Sequence, residues 1–212
     1  MGPETEQAMV NASEIPQEDQ LRADLYDFMA TLLARPPQQD LLTKTAGLTG
    51  DDSDLGQAIG SLARIAAQTN AQAAEREFNA LFIGMGRGEL LPYASFYLTG
   101  FLNEKPLATL RSDMVALQVT RAPNVFEPED NIASLMEIMA GLIAGRFGPP
   151  TALTRQVTFF NRHIGPWAPH FFADLEGAKS SVLYAAVGAV GQAFLDIERE
   201  AFRLGATDVR TG

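Results

Sequence analysis

The chain has 212 residues, 46% of them apolar and 20% charged, which is long enough to bury a continuous core and too apolar for a disordered polymer. Twenty-six acidic residues against 16 basic ones give a net charge of −10, a field that repels nucleic-acid backbones and anionic membrane surfaces and favours a cationic partner. With no cysteine and two histidines, His163 and His170, disulfides, iron–sulfur clusters and thiolate zinc sites are excluded, and any chemistry falls to carboxylates, hydroxyls or the backbone.

The first twenty residues carry Glu4, Glu6, Glu14, Glu18 and Asp19 and no base, the reverse of a secretory leader. Residues 1–18 therefore read as a flexible acidic tail, residues 19–212 as one helical domain, and the chain as cytoplasmic. A first amphipathic helix runs through Leu21, Leu25, Phe28, Met29, Leu32 and Leu33 and stops at Arg35-Pro36-Pro37, because proline lacks a donor and restricts the residue before it. The polar loop 47–54 caps a second helix through Leu55, Ile59, Leu62 and Ile65. Thr69-x-x-Gln72 fits a capping box opening a third helix through Ala74, Phe78, Leu81 and Phe82.

The glycine-rich run Gly84–Glu89 breaks that helix. Pro92-Tyr93-Ala94-Ser95 starts the next, through Phe96, Tyr97 and Phe101. Pro106 suits the first turn of a helix with Leu107, Leu110, Met114 and Leu117 on one face. After the loop at 122–124, Glu127-Pro128-Glu129-Asp130 reads as the acidic first turn of a strongly periodic helix, Ile132 to Ile143. Thr151 is placed to cap a helix through Leu153, Val157 and Phe160, a short segment follows from Trp167 to Leu175, and the longest pattern runs from Leu183 to Leu204. The uncharged stretch Ser180–Leu195 is too short for a bilayer span and reads as a buried helix. Period-2 alternation is missing throughout, so the fold class is all-α, about nine helices covering about 60% of the chain.

The glycine run 84–88 lacks both the dinucleotide fingerprint and the Gly-Lys-Ser/Thr of a phosphate loop, and reads as an interhelix loop. Ser95 with a histidine has no nucleophile elbow around it. His163 and His170 are separated by Pro166 and Pro169 and have no third ligand, so no metal site is expected. The clustered acids Glu127, Glu129 and Asp130 stand between two readings, dipole acids or a binding site.

Four blocks bear on the choice. Leu81-Phe82-Ile83-Gly84 to Gly100, Lys105-Pro106-Leu107 with Leu110-Arg111, Glu127-Pro128-Glu129-Asp130-Asn131-Ile132-Ala133, and Phe159-Phe160 through His163, Pro166-Trp167 and Phe171 to Leu175 together resemble the TorD/DmsD family of cytoplasmic chaperones that assist maturation of molybdenum-cofactor enzymes. One departure stands out: the family's Glu-Pro-x-Asp-His block has Asn131 in place of histidine. The resemblance implies a helical fold of two closely associated lobes, roughly 19–121 and 127–205 with a hinge near 122–130, and a tendency to form homodimers. It implies a chaperone, without enzymatic activity or cofactor, that binds the twin-arginine leader or the immature catalytic subunit of a molybdoenzyme until cofactor is inserted. Glu127, Asp130 and Asn131 then hold the cationic leader, and Tyr93, Ser95, Phe96, Tyr97 and Trp167 shape the neighbouring apolar surface. The alternative from another class is a helical nucleotide-binding (GTP) or hydrolytic enzyme, since weak guanine-nucleotide binding has been suggested for the family.

Overall fold

The computed structural model describes residues 15–121 and 126–208, with side chains to Leu204. Ten α-helices occur among them: α1 Gln17–Ala34, α2 Gln39–Ala46, α3 Asp54–Gln68, α4 Ala71–Phe78, α5 Ala94–Thr99, α6 Lys105–Ala116, α7 Ile132–Ala144, α8 Leu153–Phe159, α9 Ala168–Gly177 and α10 Leu183–Asp208. Two π-helical turns, Asn79–Ile83 and Phe160–Ile164, extend α4 and α8. Among the described residues, extended pairing is confined to one antiparallel bridge, Tyr93 with Asn131. The fold class is all-α.

The tenth helix is α2, which the periodicity did not reveal. Other local expectations are corrected as well. The cap of α4 is Asn70, whose side chain accepts from Ala73 N, while Thr69 closes α3 and donates its hydroxyl to Ile65 O. Thr151 does not cap α8: the N-cap position is Ala152, and the Thr151 carbonyl instead accepts from Gln156 Nε2. Helix α5 ends at Thr99, with Gly100 at φ 82°, so Phe101 lies outside it. Helix α7 begins at Ile132 with Asn131 as N-cap, which places Pro128 and its acids before the first turn.

Packing crosses the sequence midpoint. Helix α1 lies along α7, and α10 lies against α9 and α3, so one cluster of buried side chains runs from Ala23 to Phe202 through both halves of the chain. Removing each large side chain in it from water contributes about 1.5–3 kcal/mol. The approach of α9 to α10 depends on two glycines: a Cβ on Gly188 would meet Phe172 O at 2.7 Å, and one on Gly191 the Phe172 ring at 2.4 Å. Helices α1 and α10 are tied by Arg22, whose Nε and Nη2 donate to Glu198 at 2.7 and 2.9 Å, with Tyr26 OH donating to the same carboxylate at 2.9 Å. Burial first, and the adjoining carboxylate second, push the Tyr26 phenol well up.

Residues 1–14 of the expected tail and 122–125 of the expected hinge lie outside the described residues. Glu129 accepts from Arg111 Nε and Nη2 of α6 at 3.0 and 2.8 Å, with Arg121 Nη1 at 3.6 Å.

Candidate functional site

Two sequence blocks meet through their backbones. Ala94 N donates to Asp130 O (3.0 Å) and Ile132 N to Pro92 O (2.9 Å), on either side of the Tyr93–Asn131 bridge. The Asp130 carboxylate accepts from Ser95 N at 2.8 Å, so a residue just ahead of α7 supplies the cap that Tyr93 cannot give α5. Asn131 caps α7 through Ala133 N at 2.9 Å. Asparagine is among the strongest N-caps, which gives the residue at the family's histidine position a structural use.

Beside this knot is a cleft of about 610 Å³. Its walls are Asp27, Ala30 and Leu33 of α1, Phe78 of α4, Phe82 and Ile83 of the first π turn, and Ser134 and Glu137 of α7; Tyr93, Glu127 and Asn131 close one side, and Arg35 also lines it. The π turn widens the helix by one residue and brings Phe82 and Ile83 to the wall, a common use of such turns. Glu127 is exposed and accepts from Tyr93 OH, with Asn131 Nδ2 at 3.5 Å. Burial, and then the Glu127 hydrogen bond, push the Tyr93 phenol above its ordinary range, so it stays a proton donor to that carboxylate.

The eight sequence-predicted residues therefore divide. Tyr93, Glu127 and Asn131 line the cleft. Asp130 is 1% exposed and Ser95 0%; neither lines this cleft, Asp130 bordering instead a smaller cavity beside α5 and α6, and the two join the blocks through the Ser95 amide. Phe96, Tyr97 and Trp167 form a separate aromatic group: Phe96 carries Arg87 5.2 Å above its ring, Tyr97 OH donates to Asp174 of α9 at 2.9 Å, and Trp167 lies 5.3 Å from Tyr97 and donates Nε1–H to His163 O at 2.7 Å. Asp27, Glu137, Phe78 and Phe82 were missed as site residues. The available signal was Glu137, the one charge in the helix sequence IASLMEIMAGLIA.

The other sequence candidates are accounted for. Around the 84–88 loop, Gly84 N donates to Asn79 O, Glu89 N to Ala80 O and Leu90 N to Leu81 O, so the amides that flank it are spent on the chain itself. His163 Nε2 lies 2.7 Å from Asp113 Oδ2, and His170 is exposed on α9. Among the described residues, no three His, Asp or Glu side chains are grouped so as to hold a metal ion.

The sequence profile of the family described as nitrate reductase delta subunit matches residues 48–173, more than half of the chain, and includes Tyr93, Glu127, Asp130, Asn131 and Trp167. The chain belongs to this family. Among its curated relatives, the chaperone protein TorD of Vibrio cholerae is 27% identical over 198 residues, covering 84% of this chain and 90% of the relative. The chaperone protein TorD of Aliivibrio fischeri is 23% identical over 207 residues, covering 88% and 96%. Among solved structures, a putative redox enzyme maturation protein from Archaeoglobus fulgidus superimposes with a TM-score of 0.55 at 21% identity, over 82% of this chain and 93% of that one. This likeness supports the helical fold of the delta subunit family member described above.

Proposed function

We propose that this protein is a maturation chaperone without enzymatic activity: it binds the twin-arginine leader, or the unfinished catalytic subunit, of a molybdenum-cofactor oxidoreductase in the cytoplasm and retains it until cofactor is inserted. The observation that carries the reading is the cleft, where Asp27, Glu127 and Glu137 share walls with Phe78, Phe82, Ile83 and Leu33. A leader of this type has arginines followed by an apolar stretch. Its receptor needs carboxylates beside an apolar surface, and charge-assisted hydrogen bonds then contribute about 1.5–3 kcal/mol each when partly desolvated. The net charge of −10 attracts such a segment from a distance. The curated relatives that carry the name chaperone support the same class, and among the described residues no helix is long and apolar enough to cross a membrane.

In this account Glu127, with Tyr93 and Asn131, meets the client. Asp130 and the Ser95 amide fix the segment that presents them, and Tyr97, packed on Trp167 and bonded to Asp174, ties α5 to α9. Isothermal titration with a peptide of two consecutive arginines followed by an apolar stretch tests it, alongside the same peptide with both arginines replaced by glutamine, and GTP. The expected result is heat from the arginine peptide and affinity at least about tenfold lower for the glutamine peptide. Saturable GTP binding with no peptide binding would overturn it in favour of a nucleotide-binding protein.

A further inference from the structure

The acids of the cleft are not equally available. Asp27, on the α1 wall, is already paired: Arg146 Nη1 donates to its Oδ1 at 2.8 Å and Nη2 to its Oδ2, the two-pronged geometry with which an arginine side chain engages any carboxylate. The fold holds Arg146 there. Helix α7 stops at Gly145, which takes φ 69°, and Arg146 N donates back to Gly141 O at 2.9 Å, so the chain turns immediately before the guanidinium and delivers it to α1. A cation is favoured at this helix end. Arg146 is held charged chiefly by its hydrogen bonds to Asp27, with weaker attraction from Glu137 and Asp24; one of the three acids that line the cleft is thus already paired.

We infer that Arg146 is an internal competitor for the client's arginine: it occupies Asp27 in the empty protein and must yield that carboxylate when a client guanidinium enters, so that it sets affinity and selects for clients able to displace it. The inference rests on the leader-binding reading of the cleft. Exchange is feasible because the pair is partly solvated, with 44% of the Arg146 side chain and 31% of Asp27 exposed, and ion pairs of this exposure contribute little net stability. Replacing one guanidinium by another on the same carboxylate conserves the contact, whereas a client lacking arginine gains nothing by disturbing it.

The test is titration of Arg146→Gln, Arg146→Lys and Arg35→Gln with the arginine and glutamine peptides, with melting temperatures measured in parallel. Arg35 lines the same cleft, so its variant makes the same change in net charge without freeing Asp27. The expected result is arginine-peptide affinity about two- to five-fold tighter in Arg146→Gln, a smaller gain in Arg35→Gln, a gain between wild type and Arg146→Gln in Arg146→Lys, which keeps the charge but loses the two-pronged contact, and no change for the glutamine peptide. Equal gains in Arg146→Gln and Arg35→Gln, or unchanged affinity in a folded Arg146→Gln, overturn the competitor while leaving leader binding intact. Loss of arginine-peptide binding in wild type and variants alike would remove both. If Arg146→Gln does not fold, Asp27→Asn decides: with Arg146 released, the arginine peptide should bind about two- to five-fold more weakly and the glutamine peptide as before, whereas a purely structural pair would weaken both equally.

Discussion

Asp130 has a carboxylate with almost no contact with water, one oxygen of which accepts from the Ser95 amide at 2.8 Å. Its removal leaves the first turn of α5 without a side-chain cap, at a cost of about 1 kcal/mol. For a domain of this size, Asp130→Ala should lower the melting temperature by about 2–4 °C, and Asp130→Asn, which keeps an acceptor, should recover most of the loss. Calorimetry of the two variants checks this, and an Asp130→Ala protein that melts like wild type would show the cap to be dispensable. At this scale the sequence was half legible. Glu127 and Asp130 stand three residues apart and look alike locally, yet one faces the cleft and the other is buried by Ser95, 35 residues earlier. That contact depends on the bridge between the two blocks, which no local pattern encodes. Arg146 and Asp27 were illegible for the same reason, since their pairing spans 119 residues.

Long helices announced themselves through the 3.6-residue repeat, as in α7 and α10. Helix α2 did not, because its eight residues QDLLTKTA bury only Leu42 and Thr45 and follow two prolines. The π turns were also hidden, since each changes the hydrogen-bond register without changing the apolar pattern. The second turn carries a titratable contact between elements: His163 meets Asp113 of α6, which also takes Arg162 at 3.0 Å. Burial lowers the His163 pKa below its ordinary 6.5, outweighing the opposite pull of Asp113. The folded protein thus keeps the ring neutral where the unfolded chain starts to bind a proton, so this group's contribution to stability is full above pH 6.5 and is lost as the pH falls below it. The melting-temperature advantage of wild type over His163→Gln should therefore shrink between about pH 7.5 and 5.5. An advantage that grows on acidification would mean that the Asp113 ion pair dominates.

At the scale of the whole molecule, the all-helical class followed from periodicity, and the order of the four motif blocks pointed to the family. The mutual arrangement of the helices did not follow, because the packing of α1 along α7 and of α10 along α3 joins segments from opposite halves of the chain. That arrangement makes the cleft, with α1 and α7 as walls and the Tyr93–Asn131 bridge closing one side. The most direct test is photo-crosslinking with an arginine-containing leader peptide that carries a benzophenone next to its arginines, followed by mapping of the modified residues by mass spectrometry. The account predicts adducts on α1, α7 and the segments around Tyr93 and Glu127, suppressed by excess unlabelled peptide. Competable adducts confined to another face, such as the exposed Leu98 in the last turn of α5 with Phe101 and Leu102 just after it, would contradict it.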